Sequence, residues 1–368
     1  MISQARSLGY TRVLGMCNGV QGALEGRLVD LTGLTSEALE RLRRTPSAAL
    51  GSCRYRLKAG DAERLVDLCQ KHDASAFLYI GGNDSADTSA QVRRAADVRG
   101  AEVRVVGVPK TIDNDLPAMD HAPGYGSAAR FVAQVTRETA LDTLAMRNTD
   151  PIRIVEVMGR HAGWLPSAAW LARQTASDAP HLVYVPERPL PVERIIEDVR
   201  VVYRQYGCCV LVLCENQPGP EGRVLGATGE PRWMDAFGHP YFDSPAQFLA
   251  RRLQVEVGVR VRFDKPGTIQ RMATAYVSSP DRAEAEQVGR QAVRLAHAGR
   301  TGVMVTLQRR AGARYAITMD EAPLEAIANT QKRMPDEYIA REGNGLTDAF
   351  VAYARPLIGE ALPEFERL

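Results

Sequence analysis

The sequence predicts an α/β protein of two domains, each built on a parallel sheet, and three observations carry that expectation. Short apolar runs alternate with longer helical patterns along the chain. The runs are continuous and rich in β-branched residues rather than alternating, as in strands buried on both faces. The chain has 368 residues, of which 45% are hydrophobic and 24% charged, so it can fill more than one ordinary globular core.

Taken in order, residues 3–8 read as the tail of a helix and 12–16 as a buried strand. Strands follow at 76–80 (AFLYI), 103–108 (VRVVGV), 152–157 (IRIVEV), 182–185 (LVYV), 210–214 (VLVLC) and 303–307 (VMVTL). Helical patterns fill the intervals, most clearly at 61–71, 127–146, 193–206 and 282–297. Strand–helix alternation of this kind places parallel strands under helical layers. The Gly/Pro-rich stretch 216–231 (NQPGPEGRVLGATGEP) reads as an exposed loop. No repeat of the solenoid type is present.

Charge excludes several functions. Lys+Arg number 46 against Asp+Glu 44, a net of +2, which argues against a nucleic-acid coat or a membrane-surface protein. No apolar run approaches the ~18 residues of a membrane span, and the start lacks an apolar signal core, so a cytoplasmic location is expected. The cysteines (Cys17, Cys53, Cys69, Cys208, Cys209, Cys214) form no C-x-x-C pair and sit mostly among apolar neighbours. They read as structural thiols, not disulfides or a zinc site.

In parallel sheets, ligands bind beyond the carboxyl ends of the strands. Four such ends here carry polar clusters: Gly81-Gly82-Asn83-Asp84-Ser85, Lys110-Thr111-Ile112-Asp113-Asn114-Asp115, Met158-Gly159-Arg160-His161 and Pro186-Glu187. Residues 81–85 suit either a backbone cradle for an anion or a turn capped by Asp84 or Ser85. The carboxylates of Asp113 and Asp115 beside Thr111 suit a base and a metal site, or an Asx-rich turn. Lys110 stands out because cationic positions are nearly all arginine; the other lysines are Lys58, Lys71, Lys265 and Lys332. A compact ammonium beside carboxylates suits a phosphoryl group. Arg160 suits a phosphate fork or a surface ion pair, and His161 a base or, more simply, a hydrogen-bonded structural histidine. Trp164 and the small residues after it read as a packed helix. Arg54, Arg262 and Arg271 lie near glycines, as anion clamps do. The residue chemistry alone describes phosphoryl transfer, in which catalysis is mostly positioning and charge neutralisation.

These segments resemble one family, the 6-phosphofructokinases. Residues 81–85 resemble its GGDGS/GGDDS loop, PKTIDND its P-[GK]-TIDND segment, and MGRHAGW its MGR segment. VPE and GTIQR resemble later substrate motifs, and GSCRYR a G-S-x-R phosphate loop. The matches run in order from about Cys17 to GNGLTDAF, nearly the whole chain. The resemblance implies two Rossmann-like domains with the active site between them. Residues 1–124 with about 270–318 would form the donor half, and 125–269 with about 319–368 the sugar-phosphate half.

By the same resemblance, Asp113 is the general base toward the sugar 1-hydroxyl, with Lys110 and Arg160 stabilising transferred charge. Thr111, Ile112, Asp115, Met158, Gly159, Glu187, Arg262, Thr268, Ile269, Gln270 and Arg271 correspond to binding positions for fructose 6-phosphate. Gly81, Gly82, Asp84, Ser85 and Arg54 correspond to the donor site, and Asn83 with Asp115 to a magnesium site. Some phosphate clamps in this family come from a second subunit, so a homodimer or homotetramer is implied. Members using pyrophosphate tend to have Asp and Lys at the positions of Asp84 and Lys110, where ATP users tend to have Gly. The physics agrees, since a carboxylate repels a nucleotide α-phosphate and lysine favours small, highly charged pyrophosphate. The implied reaction is reversible, Mg²⁺-dependent transfer from pyrophosphate to fructose 6-phosphate, the alternatives being an ATP-dependent enzyme or a non-catalytic sugar-phosphate-binding relative. A dinucleotide oxidoreductase lacks its glycine fingerprint here.

Three departures accompany the resemblance. The family opens with a strand and a Gly-Gly loop, whereas this sequence begins at the following helix and second strand; an exposed sheet edge and weak activity or solubility are therefore expected of it. Asn83 stands where many members carry a magnesium-binding Asp, and Thr268 where an aromatic residue or histidine is common.

Overall fold

Strands β1 (Leu14–Met16), β2 (Leu28–Asp30), β3 (Ala76–Gly81), β4 (Arg104–Pro109), β5 (Ile152–Val157), β6 (Leu182–Val183), β7 (Cys209–Cys214), β8 (Trp233–Met234), β9 (Pro240–Tyr241), β10 (Val261–Asp264), β11 (Val303–Arg309) and β12 (Ile317–Pro323) organise the chain. They belong to a computed structural model that describes residues 1–227, 230–234, 238, 240–241, 243–312 and 314–366. The first main sheet has the order β12-β11-β4-β3, parallel except for β12, which runs antiparallel to β11. The second, β10-β5-β7-β6, is wholly parallel.

The continuous apolar strands are buried on both faces. On β4, Val105 packs into a core beneath the helices Asp61–Lys71 and Asn83–Val98, while Val106 and Val108 face the helix Ser279–His297. On β5, Val155 and Val157 join a core with Tyr125 and Trp164, while Ile152 and Ile154 join Ile195 and Leu249 on the other face. Successive residues of a strand point to opposite faces, so each strand supplies two cores. Parallel pairing also aligns the carboxyl ends: Gly81 lies opposite Pro109, and Val157 opposite Cys214. The loops that follow all leave from those edges.

Several elements differ from expectation. The strand at 12–16 is shorter and pairs antiparallel with β2 as a two-stranded ribbon outside the central sheet; within it only Gly15 is buried. Among the described residues, β4 is the only strand paired with β3, an edge strand on which Ile80 is exposed. β10 and β12 carry no continuous apolar run, and β12 extends the first sheet to Pro323, beyond the boundary expected at about 318. The stretch 216–231, of which 228–229 lie outside the described residues, is not simply an exposed loop. Gln217 is buried with its Nε2 donating to the Val185 carbonyl, and Leu225 packs into the second domain's core. Among the described residues no helix is long and apolar enough to cross a membrane.

The chain passes from the first sheet to the second through the helix Tyr125–Ala145. That helix starts at Gly124, whose φ of +108° brings it against the Thr111 carbonyl; a Cβ there would lie 3.1 Å from that oxygen. The crossing helix is thus seated directly on the loop that follows β4.

Candidate active site

The loop after β4 begins with Lys110, whose N–H donates to the Gly81 carbonyl at 3.0 Å and so ties the ends of β3 and β4 together. The Asp113 N–H donates to Thr111 Oγ1 at 3.1 Å. Asn114, between the two carboxylates, is left-handed (φ +57°). Its Oδ1 accepts from the Ala122 N–H at 3.0 Å and its Nδ2 donates to Tyr353 Oη at 2.8 Å. A left-handed non-glycine residue needs such partners, and Asn is the type that tolerates it.

Arg160 arrives from the second sheet. Gly159 has φ +132°, and a Cβ there would stand 2.9 Å from the Ala162 carbonyl oxygen, so the turn after β5 requires glycine. Arg160 is also left-handed (φ +51°), and its carbonyl accepts from Cys214 Sγ at 3.0 Å. Arg160 Nε lies 3.9 Å from Asp113 Oδ2, an ion pair between the two sheets. Asp113 Oδ1 is buried with no protein partner. Burial pushes the Asp113 carboxyl up to about 7, helped by the negative charges of Asp115 and Glu215 and opposed by Arg160 and Lys110. Asp115 is raised by the same desolvation, opposed chiefly by Arg160.

Lys110 is open to solvent on one side, though crowded by protein on the others. Its ammonium is held below the ordinary lysine range by desolvation and by the charges of Arg271 and Arg160. Arg271 ends the turn Gly267–Arg271, in which Thr268 and Ile269 are exposed and Gln270 is buried. Gln270 Oε1 accepts from the Met158 N–H at 3.3 Å, which docks this turn on the loop after β5. Glu187 Oε1 accepts from the N–H groups of Gly163 and Met334, both at 3.0 Å, while Oε2 is buried without a partner. Desolvation raises the Glu187 carboxyl despite those hydrogen bonds.

On the first sheet, Gly82 caps the helix Asn83–Val98 in an extended conformation, with Asp84 and Ser85 half-buried in its first turn. Unpaired N–H groups at such a start favour anions. Asn83 Nδ2 donates to Asp115 Oδ2 at 3.3 Å, and Asn83 Oδ1 is buried without a partner. Asn83, with its orphaned oxygen, and the Asp115 carboxylate it bonds offer oxygen donors of the kind a hard divalent cation takes. Among the described residues no group of three or more His, Cys, Asp or Glu could hold a metal ion.

Two arginines are placed differently. Arg54 is exposed on a loop whose Cys53 Sγ lies 3.9 Å from Tyr79 Oη, beside the end of β3. Arg262 is not with the cluster in its own chain; it sits opposite Arg153 near the start of β5, its Nε on Asp150 Oδ2 at 2.7 Å. His161 is exposed and Trp164 is buried at the start of a short helix. Glu215, which directly follows β7, was not among the expected site residues. Its carboxylate accepts from the Arg160 N–H and its charge reaches Asp113. It obeys the same strand-end rule as the other clusters, but the adjoining Gly/Pro stretch hides it. Lys332 was missed as well, and no motif marks it.

Residues 1–296 match the family described as Phosphofructokinase. A pyrophosphate–fructose 6-phosphate 1-phosphotransferase of Xanthomonas campestris pv. campestris (strain B100) is 40% identical over 98% of this chain and 87% of its own. The protein of the same name from Halomonas elongata is 38% identical over 95% of this chain and 84% of its own. The crystal structure of a pyrophosphate-dependent phosphofructokinase from Marinobacter aquaeolei superposes with a TM-score of 0.86 at 35% identity, covering 99% of this chain and 88% of that one.

Proposed function

This chain belongs to the phosphofructokinase family, and from that premise we propose that it transfers a phosphoryl group reversibly from pyrophosphate to the 1-hydroxyl of fructose 6-phosphate, giving fructose 1,6-bisphosphate and phosphate. The observation that carries the reading is the Asp113 carboxylate on the first sheet's loop, its Oδ2 facing Arg160 of the second sheet and its Oδ1 buried and unpartnered. Asp113 accepts the proton of the sugar hydroxyl as that oxygen attacks phosphorus. A base with its pKa near neutrality does this best, since it is free at working pH yet basic enough to pull. Lys110 and Arg160 hold the transferred phosphoryl charge. Positioning and neutralisation account for most catalysis of this kind.

The sugar phosphate is held by Met158 and Gly159 through their backbone, by Thr111 and Ile112 beside the base, and by Glu187, whose free Oε2 accepts a sugar hydroxyl. Residues 268–271 cover it, with Arg271 directed to phosphate. Arg262 serves as a clamp on a neighbouring subunit's substrate, which makes the working form a homodimer or homotetramer. Gly81, Gly82, Ser85 and Arg54 take the pyrophosphate, and Asp84 with Lys110 favours it over ATP. Asn83 and Asp115 would hold Mg²⁺, which when bound would supply charge neutralisation to the phosphates. The donor half comprises residues 1–124 and the return segment from about 270, with β12 included to Pro323; the remainder forms the sugar-phosphate half. The enzyme acts in the cytoplasm, in the interconversion of fructose phosphates in glycolysis.

The test is turnover of fructose 6-phosphate with Mg²⁺ and either pyrophosphate or ATP, with release of orthophosphate or ADP measured. Pyrophosphate-dependent formation of the bisphosphate, without comparable ATP use, is the expected result. Substrate binding without turnover on either donor would overturn it.

A further inference from the structure

The segment around Lys332 belongs to no motif singled out above, yet it touches both halves of the site. The Lys332 ammonium donates to three oxygens: the Asp120 carbonyl at 2.8 Å, the Met119 carbonyl at 3.2 Å and Asn114 Oδ1 at 3.4 Å. That exhausts the donors of a lysine. The Lys332 N–H donates to the Asp115 carbonyl at 2.8 Å, and the Lys332 carbonyl accepts from Trp164 Nε1 at 3.1 Å. The ammonium also lies 4.8 Å from the Trp164 ring centroid. Two residues on, the Met334 N–H holds Glu187. One short strap therefore ties the loop bearing Asp113 and Asp115 to the part of the second sheet that bears Trp164 and Glu187.

We propose that Lys332 is a positioning residue, a three-point clamp that holds the loop from Asn114 to Asp120 so that the Asp113 carboxylate stands at Arg160. The geometry explains why a lysine is placed there. Asn114 must stay left-handed between two carboxylates that repel one another, and its side-chain oxygen and two neighbouring carbonyls all need donors. A charged three-proton donor satisfies them together, where a neutral side chain would leave buried acceptors orphaned. Lys332 does not contact Asp113, so its effect on chemistry runs through the loop.

The inference rests on the functional reading above, and the experiment keeps the two apart. The full chain is compared with Lys332→Met and Lys332→Gln, each also combined with Asp113→Asn, by kcat and KM for fructose 6-phosphate and pyrophosphate and by thermal melting. Lys332→Met should lower kcat roughly 10- to 100-fold, the order a displacement of about 1 Å costs, while both KM values stay within about threefold. Lys332→Gln, which keeps a donor, should recover part of the loss. In the Asp113→Asn background the Lys332 substitutions should cost less than about twofold, because positioning an absent base gains nothing. An unchanged kcat, a loss wholly in KM, or a full additive loss in the Asp113→Asn background overturns the proposal. If Lys332→Met does not fold, Lys332→Gln carries the comparison; failure of both to fold also overturns it, the role then being that of the whole fold. A wild type inactive with pyrophosphate refutes the donor assignment instead, and the same comparison is read on the donor it does use.

Discussion

Replacing Asp113 with Asn removes the proton acceptor while keeping the shape of the side chain. Removing a general base typically costs about 10² to 10⁴ in rate, or about 3–5 kcal/mol of barrier. The upper part of that range applies here, because no other carboxylate stands in the same place: Asp115 is bonded to Asn83 and Glu215 to the Arg160 backbone. KM for fructose 6-phosphate should change only a few-fold. The assay is the pH dependence of kcat/KM with pyrophosphate. The wild type should rise with pH through about 7, where Asp113 ionises, and Asp113→Asn should lose that limb. Melting provides an independent reading. The folded carboxyl titrates near 7 and the unfolded one at about 4, so between those values the native state holds a proton that the unfolded state has lost. Wild-type stability from this group is thus highest below about pH 4 and declines as pH rises toward 7, the reverse of a salt-bridged aspartate. Asn carries no charge, so Asp113→Asn should melt above the wild type at pH 8 and converge with it toward pH 4. A variant with wild-type kcat, or one that retains the acid limb near 7, refutes the assignment.

Asp84→Gly with Lys110→Gly should lower pyrophosphate turnover roughly ten- to hundredfold, the worth of one hydrogen bond to a charged group at about 1.5–3 kcal/mol; turnover indifferent to both changes removes these residues from the donor site. Gly159→Ala should destabilise the fold by about 1–3 kcal/mol and displace Arg160, because its φ of +132° and the Ala162 carbonyl at 2.9 Å leave no room for a Cβ. Wild-type melting together with wild-type kcat in that variant would contradict the turn geometry. A thiol reagent should modify only Cys17 and Cys53 in the native protein and all six cysteines after denaturation, because the other four are buried and burial pushes Cys69 up to about 11. Rapid native labelling of a further cysteine would show that a core strand opens.

What could be read from the residues follows from burial. β3, β4, β5 and β7 were found within about two residues because they lie inside double-sided cores and so carry unbroken apolar runs. β12 escaped because it is an edge strand bearing Asp320 and Glu321, and β10 because it has only four residues, with Arg262 and Phe263 exposed. The ribbon of β1 and β2 is short and half-exposed, so its pairing partner left no periodic trace. At the site, Asp113, Arg160 and Glu187 were legible because parallel strands end at one edge. Lys332 was not, since a long return of the chain delivers it. Arg262 differs: its Nε is held on Asp150 near the start of β5, away from the strand ends that made the other residues legible.

The ion pair between Asp113 and Arg160 joins groups carried by different sheets, and this makes proton affinity a gauge of cleft width. At an effective dielectric of about 20, opposite charges 3.9 Å apart attract by roughly 4 kcal/mol, and at about 6 Å by roughly 3. A parting of the sheets by about 2 Å would therefore raise the Asp113 pKa by about one unit. At neutral pH an opening cleft takes up a proton and a closing one releases it. Substrate capture, if it draws the sheets together, would then be recorded in the buffer as protons released on binding, before any phosphoryl group moves.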